Sequence, residues 1–182
     1  MKVKFLCLLI MATLVLSCAS FKKELIKSGG RNEVIQNAIL IFSKTTRLYK
    51  RDTVFSVRTG EDKEILIVRV GKNSTKLLLT TDTEPGSKNK LLPSRFVEKD
   101  GKLFFWWDND YPLTEEAIAV FHKYNLFQDD DGGVITVPNF TNDDAQKAAH
   151  YYFCKNDLTK YKEVITNKGI GYYDPPKLTC NP

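Results

Sequence analysis

Apolar residues fall along this chain in three rhythms, and each rhythm predicts a different kind of element. The first is a hydrophobic stretch from Phe5 to Leu16, interrupted only by Thr13 and preceded by Lys2 and Lys4. It is short of the roughly 20 apolar residues a permanent membrane-crossing helix needs. The second rhythm is helical. Val34, Ile35, Ala38, Ile39, Ile41 and Phe42 recur at 3.6-residue spacing within residues 33–46, with Asn32 as the expected cap. Residues 38–42 are also continuous enough for a buried strand, and the longer helical pattern decides for a helix. The third rhythm is short and strand-like. Residues 53–59 alternate, with Val54, Ser56 and Arg58 on one side and Phe55 and Val57 on the other. Residues 64–70 and 75–81 are apolar runs of strand length. Gly60-Glu61-Asp62 and Gly71-Lys72-Asn73 read as the turns between them. Residues 95–98 and 102–107 flank Lys99-Asp100-Gly101, an Asp-Gly hairpin signal.

Helical spacing returns further on. Thr114 is placed to cap a helix whose first turn holds Glu115 and Glu116, with Ala117, Val120, Phe121, Tyr124 and Phe127 as its stripe. A second helix is expected over residues 142–155, capped by Thr141, with Asp143 and Asp144 in its first turn. Ala145, Ala148, Ala149, Tyr152 and Phe153 would face inward. Residues 134–137 form one more short strand candidate. Strands first and helices mostly after predict an α+β class: an antiparallel β-meander of about five strands packed by two to three helices in a single domain.

The N-terminal run ends in Leu16-Ser17-Cys18. Lysines, a short apolar stretch and a small residue before the break are the parts of a secretory signal. With Cys18 directly after them, the segment resembles a bacterial lipoprotein signal, although Val15 stands where that family prefers Leu. The resemblance implies that Cys18 is acylated, that residues 1–17 are removed, and that the protein is exported and lipid-anchored to a bacterial membrane, on its periplasmic or surface face. A plain signal-peptidase site near Ser20 is the alternative. Residues 18–32, rich in Lys, Ser and Gly, then read as a lipidated N-terminus and flexible tether, spanning about 20 Å as a coil. Residues 33–182 form the domain. Lys22, Lys23, Lys27 and Arg31 are within reach of anionic headgroups, each worth about 1 kcal/mol at best. Ordinary linker solubility is the favoured reading of them.

Loss of Lys2 and Lys4 with the signal lowers the net charge from +5 to +3. That is too mild for nucleic acid, which calls for a clustered basic face. Cys7 leaves with the signal, so Cys154 and Cys180 remain. In an exported chain such a pair suggests a disulfide that pins the Gly- and Pro-containing tail to the body. On a helix, Cys154 and His150 would lie away from the apolar stripe, so the tail would cross that helix's outer face.

Candidate chemistry is thin. Asp129-Asp130-Asp131-Gly132-Gly133 looks metal-like, but an EF-hand register would put Phe127 at position 1 and Pro138 at position 12, so the motif fails. His150 and Cys154 have a helical metal-sharing spacing with no third ligand. His122 stands apart, and no hydrolase motif accompanies either histidine. The sequence therefore predicts no catalytic residues, no metal and no cofactor. The unusual segment is Phe104-Phe105-Trp106-Trp107-Asp108-Asn109-Asp110-Tyr111-Pro112. As a strand it puts Phe104 and Trp106 on one face and Phe105 and Trp107 on the other. With one face open, Trp106, Trp107, Asp108 and Tyr111 would make a binding site for a glycan or an envelope protein. Cover on both faces is the favoured expectation, with Tyr172, Tyr173 and Pro175 as cover on one side. A non-enzymatic binding or envelope-assembly domain is the function expected. An immunity or inhibitor protein against an envelope-directed toxin or hydrolase is the alternative.

Overall fold

A computed structural model describes residues 24–73, 76–77, 92–127, 148–166 and 176–180. The chain folds as a single α+β domain around one open, mostly antiparallel sheet. Among the described residues there are three helices, α1 (Arg31–Thr45), α2 (Leu48–Arg51) and α3 (Glu115–Lys123). The strands are β1 (Val54–Asp62), β2 (Ile65–Lys72), β3 (Arg95–Lys99), β4 (Lys102–Trp106), β5 (Ala148–Cys154) and β6 (Asp157–Thr166). Their order across the sheet is β3-β4-β1-β2-β5-β6.

This is three hairpins side by side rather than a sequential meander. The first two hairpins along this order meet in a parallel pair, β1 on β4, with Phe55 opposite Phe104. The β3–β4 turn follows the Asp-Gly signal. Asp100 (φ 51°) and Gly101 (φ 72°) both take the left-handed conformation that a tight two-residue hairpin demands. The first hairpin turns at Lys63 and Glu64, because Gly60, Glu61 and Asp62 continue the strand and pair with Ile67, Leu66 and Ile65. Gly71 likewise lies inside β2. Of the expected strand over residues 75–81, only Leu77 is seen pairing, in an isolated bridge to Phe127. Residues 75, 78–81 and 134–137 lie outside the described residues.

The largest departure concerns the expected helix over residues 142–155. Ala148–Cys154 is a central strand, paired to β2 on one side and β6 on the other. Ala-Ala-His-Tyr-Tyr-Phe-Cys offers apolar residues on both faces, which a doubly covered strand requires and which mimics a helical stripe over so short a window. Its aromatics favour the pleated surface. The expected cap at Thr141 and the first-turn acids lie outside the described residues.

Apolar layers lie on both faces of the sheet. On one face, α1 buries Val34, Ile35, Ala38, Ile41 and Phe42 against Phe55, Val68, Phe104, Trp106, Tyr151 and Phe153. Phe55 and Phe104 stack at 5.0 Å, and Phe42 meets Phe55 edge-on at the same separation. On the other face, α3 sets Ala117 and Phe121 against Leu103 and Phe105, with Leu113 and Leu126 closing the layer. Thr114 caps α3 as expected, its hydroxyl accepting from the Ala117 N–H at 3.1 Å. Helix α1 begins at Gly30 instead of Asn32. The Glu33 carboxylate accepts the Gly30 N–H at 2.8 Å and supplies the missing acceptor.

The packed body also starts earlier than residue 33. Leu25 is buried in the core beneath α1. Buried Asn37 pairs with both backbone groups of Ile26, accepting its N–H at 2.8 Å and donating to its carbonyl at 2.7 Å. Its amide also donates to the Leu158 carbonyl, and the Leu158 N–H donates to the Lys27 carbonyl. From Glu24 onward the expected tether over residues 18–32 is thus part of the fold.

Candidate functional site

The aromatic segment ends β4 and turns through residues 107–112 toward α3. The structure divides the four candidate binding residues among three different roles. Trp106 is core: 4% exposed and packed in the α1 layer. Asp108 is buried and shapes the turn. Its carboxylate accepts the Asp110 N–H at 3.2 Å, and its own N–H donates to Ser94 Oγ at 3.1 Å. Ser94 Oγ in turn donates to the Asp108 carbonyl at 2.7 Å. Trp107 is half-buried, with its ring against Phe105 at 5.5 Å. Tyr111 is the exposed member, at 43%.

The expected division of faces holds: Phe104 and Trp106 lie in the α1 layer, and Phe105 and Trp107 in the α3 layer. Both faces of this strand are covered, and the cover on the second is α3. The proposed cover by Tyr172, Tyr173 and Pro175 concerns residues outside those described.

What remains at the surface is an arginine-edged aromatic shelf. The Arg95 guanidinium lies 3.9 Å from the centre of the Tyr111 ring, a cation–π stack on an exposed ring. The Arg31 guanidinium, at the first turn of α1, donates to the Trp107 carbonyl at 2.9 Å and ties the turn to the helix. Sequence reasoning missed both arginines. Arg31 is 76 residues from Trp107, and nothing in local patterning announces that contact. Arg95 was legible only as the start of a strand. Two buried polar atoms nearby find no partner among the described residues: Trp106 Nε1 and Asn32 Oδ1. One is a donor and the other an acceptor, each leaving a desolvation cost of about 1–3 kcal/mol.

Such a shelf is suited to stacking and hydrogen bonding. Among the described residues, no three His, Cys, Asp or Glu side chains gather into a metal-binding group. His122 is exposed on α3, its ring 4.7 Å from Phe127. His150 sits half-buried in β5 opposite Arg69. Burial and then the Arg69 charge hold its imidazole below the usual histidine range. Because β5 is a strand, His150 and Cys154 are four extended residues apart, too far to share a metal. Cys154 is instead bonded to Cys180, with Cα atoms 5.4 Å apart. The tail therefore docks at the end of β5, not across a helix. The Asp129–Gly133 segment and Cys18 lie outside the described residues. Among the described residues, no helix is long and apolar enough to cross a membrane.

No family model, curated protein or solved structure matches this chain.

Proposed function

We propose that this protein is a lipid-anchored, non-enzymatic binding domain of a bacterial envelope, held by an acylated Cys18 and recognising an envelope protein or glycan through the Trp107–Tyr111 shelf. The observation that carries the reading is the docking of Leu25 and Ile26 under α1, so soon after Cys18. A chain that packs within seven residues of its anchor works at the membrane surface rather than at a distance from it. The Cys154–Cys180 bond supports an oxidising compartment outside the cytoplasm. The stacked Tyr111 supports binding, since an exposed ring fixed by a cation loses little freedom when a partner covers it.

The test is a pull-down from detergent-solubilised envelope, comparing wild type with Tyr111→Ala and with Arg95→Ala. A partner recovered by wild type and lost from both variants is the expected result. Equal recovery by all three would remove the shelf as the binding surface. Recovery of no specific partner would count against a binding role.

A further inference from the structure

We infer that the corner formed by the end of α1 and by α2 is a membrane-apposed surface that rests on anionic phospholipid headgroups. The inference rests on the lipid-anchor reading and adds the face that meets the bilayer.

The chain enters the fold at this corner. Glu24, the first described residue, pairs with Lys44 in the last turn of α1 at 2.6 Å. From Cys18 to Glu24 is six residue steps, at most about 20 Å even fully extended. An acyl anchor at Cys18 therefore keeps this end of the domain against the bilayer.

The corner is basic where it has to be. Lys44, Arg47, Lys50 and Arg51 are all exposed within eight consecutive residues. Tyr49 explains why they point outward. Its ring turns inward to stack on Phe55 and Phe104, and its hydroxyl donates to Asp100 at 2.6 Å. Lys50 and Arg51 of the same short helix are exposed. The neighbouring acids are already engaged. Glu24 holds Lys44, Asp52 holds Lys72 at 3.0 Å, Asp100 takes the Tyr49 hydroxyl, and Glu163 accepts from Thr46 and Tyr151. Among the described residues, Arg47, Lys50 and Arg51 form no ion pair. Three unneutralised cations at the point nearest the anchor match the negative surface of phosphatidylglycerol-type lipid, at about 1 kcal/mol each, or about fivefold in partitioning.

The experiment uses residues 18–182 carrying Cys18→Ser, so that no acyl chain contributes; no described residue is removed. Co-sedimentation is measured with vesicles rich in phosphatidylglycerol and with vesicles of phosphatidylcholine alone. The expected result is binding to the anionic vesicles only, weakened by salt. R47Q/K50Q/R51Q should weaken it about a hundredfold. A charge-matched control at the opposite end of the sheet, K63Q/K155Q/K160Q, should change it less than threefold. Equal loss in both triple variants would reduce the effect to net charge and overturn the assignment. So would equal binding to both vesicle types. Self-association in solution that R47Q/K50Q/R51Q abolishes, without vesicle binding, would make the occupant a second copy. Circular dichroism of each variant identifies a misfolded protein, and R47K/K50R/R51K, which keeps the charge, should bind like wild type. Wild-type protein that takes no palmitate while its corner still binds counts against the anchor alone. Labelled protein whose corner variant partitions like wild type counts against the corner alone.

Discussion

The two ends of the sheet are built from the same strands and differ in what they expose. At one end lie the start of β4, the Asp100–Gly101 turn and the basic corner of α1 and α2, where the chain enters the fold. At the other lie the end of β4, the aromatic shelf and the bonded end of β5. Acids and bases mix there, Glu61, Asp62, Glu64, Asp110 and Asp157 with Lys63, Arg95 and Lys155. The exposed cluster Lys44, Arg47, Lys50 and Arg51 lies at the first end and the exposed Tyr111 ring at the second.

The sharpest way to break the contrast is at the shelf end, where core and surface meet in adjacent residues. Trp106→Ala should cost about 3–5 kcal/mol in denaturant unfolding, because it empties a packed site under α1. Trp106→Phe should cost far less, since it also deletes an indole N–H without a described partner. Replacing Cys154 and Cys180 with Ala should cost about 3.5 kcal/mol in the chain-entropy model for a bond spanning 26 residues. At the entry end, Asn37→Leu strands both backbone groups of Ile26 and should cost about 1–3 kcal/mol. It should also open residues 24–30 to protease. Tyr111→Ala should change stability by under about 0.5 kcal/mol while abolishing partner recovery.

Alkaline pH tests the entry end differently. Burial and then the hydrogen bond to Asp100 push the Tyr49 hydroxyl up from 10.0 to about 12. Burial raises Tyr151 as well. Because the folded state holds these protons more tightly, their contribution is complete below pH 10 and is lost as pH rises toward 12. Melting temperature should fall over that window, and Tyr49→Phe should lessen the fall. His150 acts with the opposite sense. Its lowered folded value costs stability as pH drops below 6.5, the ordinary histidine value, and His150→Gln should remove that acid-side component.

Much of the architecture was readable because local and global preferences agreed. Thr114 with its two glutamates marked α3, the spacing from Val34 to Phe42 marked α1, and Asp100-Gly101 marked its hairpin. The segment around Tyr151 was misread because a strand covered on both faces carries no alternation, and its paired alanines matched a helical stripe. Strand order was hidden for a different reason. The parallel joint of β1 to β4 depends on which face each hairpin buries, information spread over 50 residues. At the shelf, the aromatics announced themselves, but their exposure did not. Trp106 and Trp107 differ by one position in a strand, and only the presence of α1 and α3 on opposite faces decides how each is covered. Asn37 gave no signal at all, since an asparagine within an apolar helix reads as a polar interruption rather than as a clamp on Ile26.

The most direct measurement is mass spectrometry of the N-terminal peptide of membrane-purified protein. Acylated Cys18 as the first residue, with six residues between it and Leu25, places the basic corner at the bilayer and the shelf away from it. An unmodified N-terminus at or beyond Ser20, on protein recovered from the soluble fraction, contradicts that arrangement.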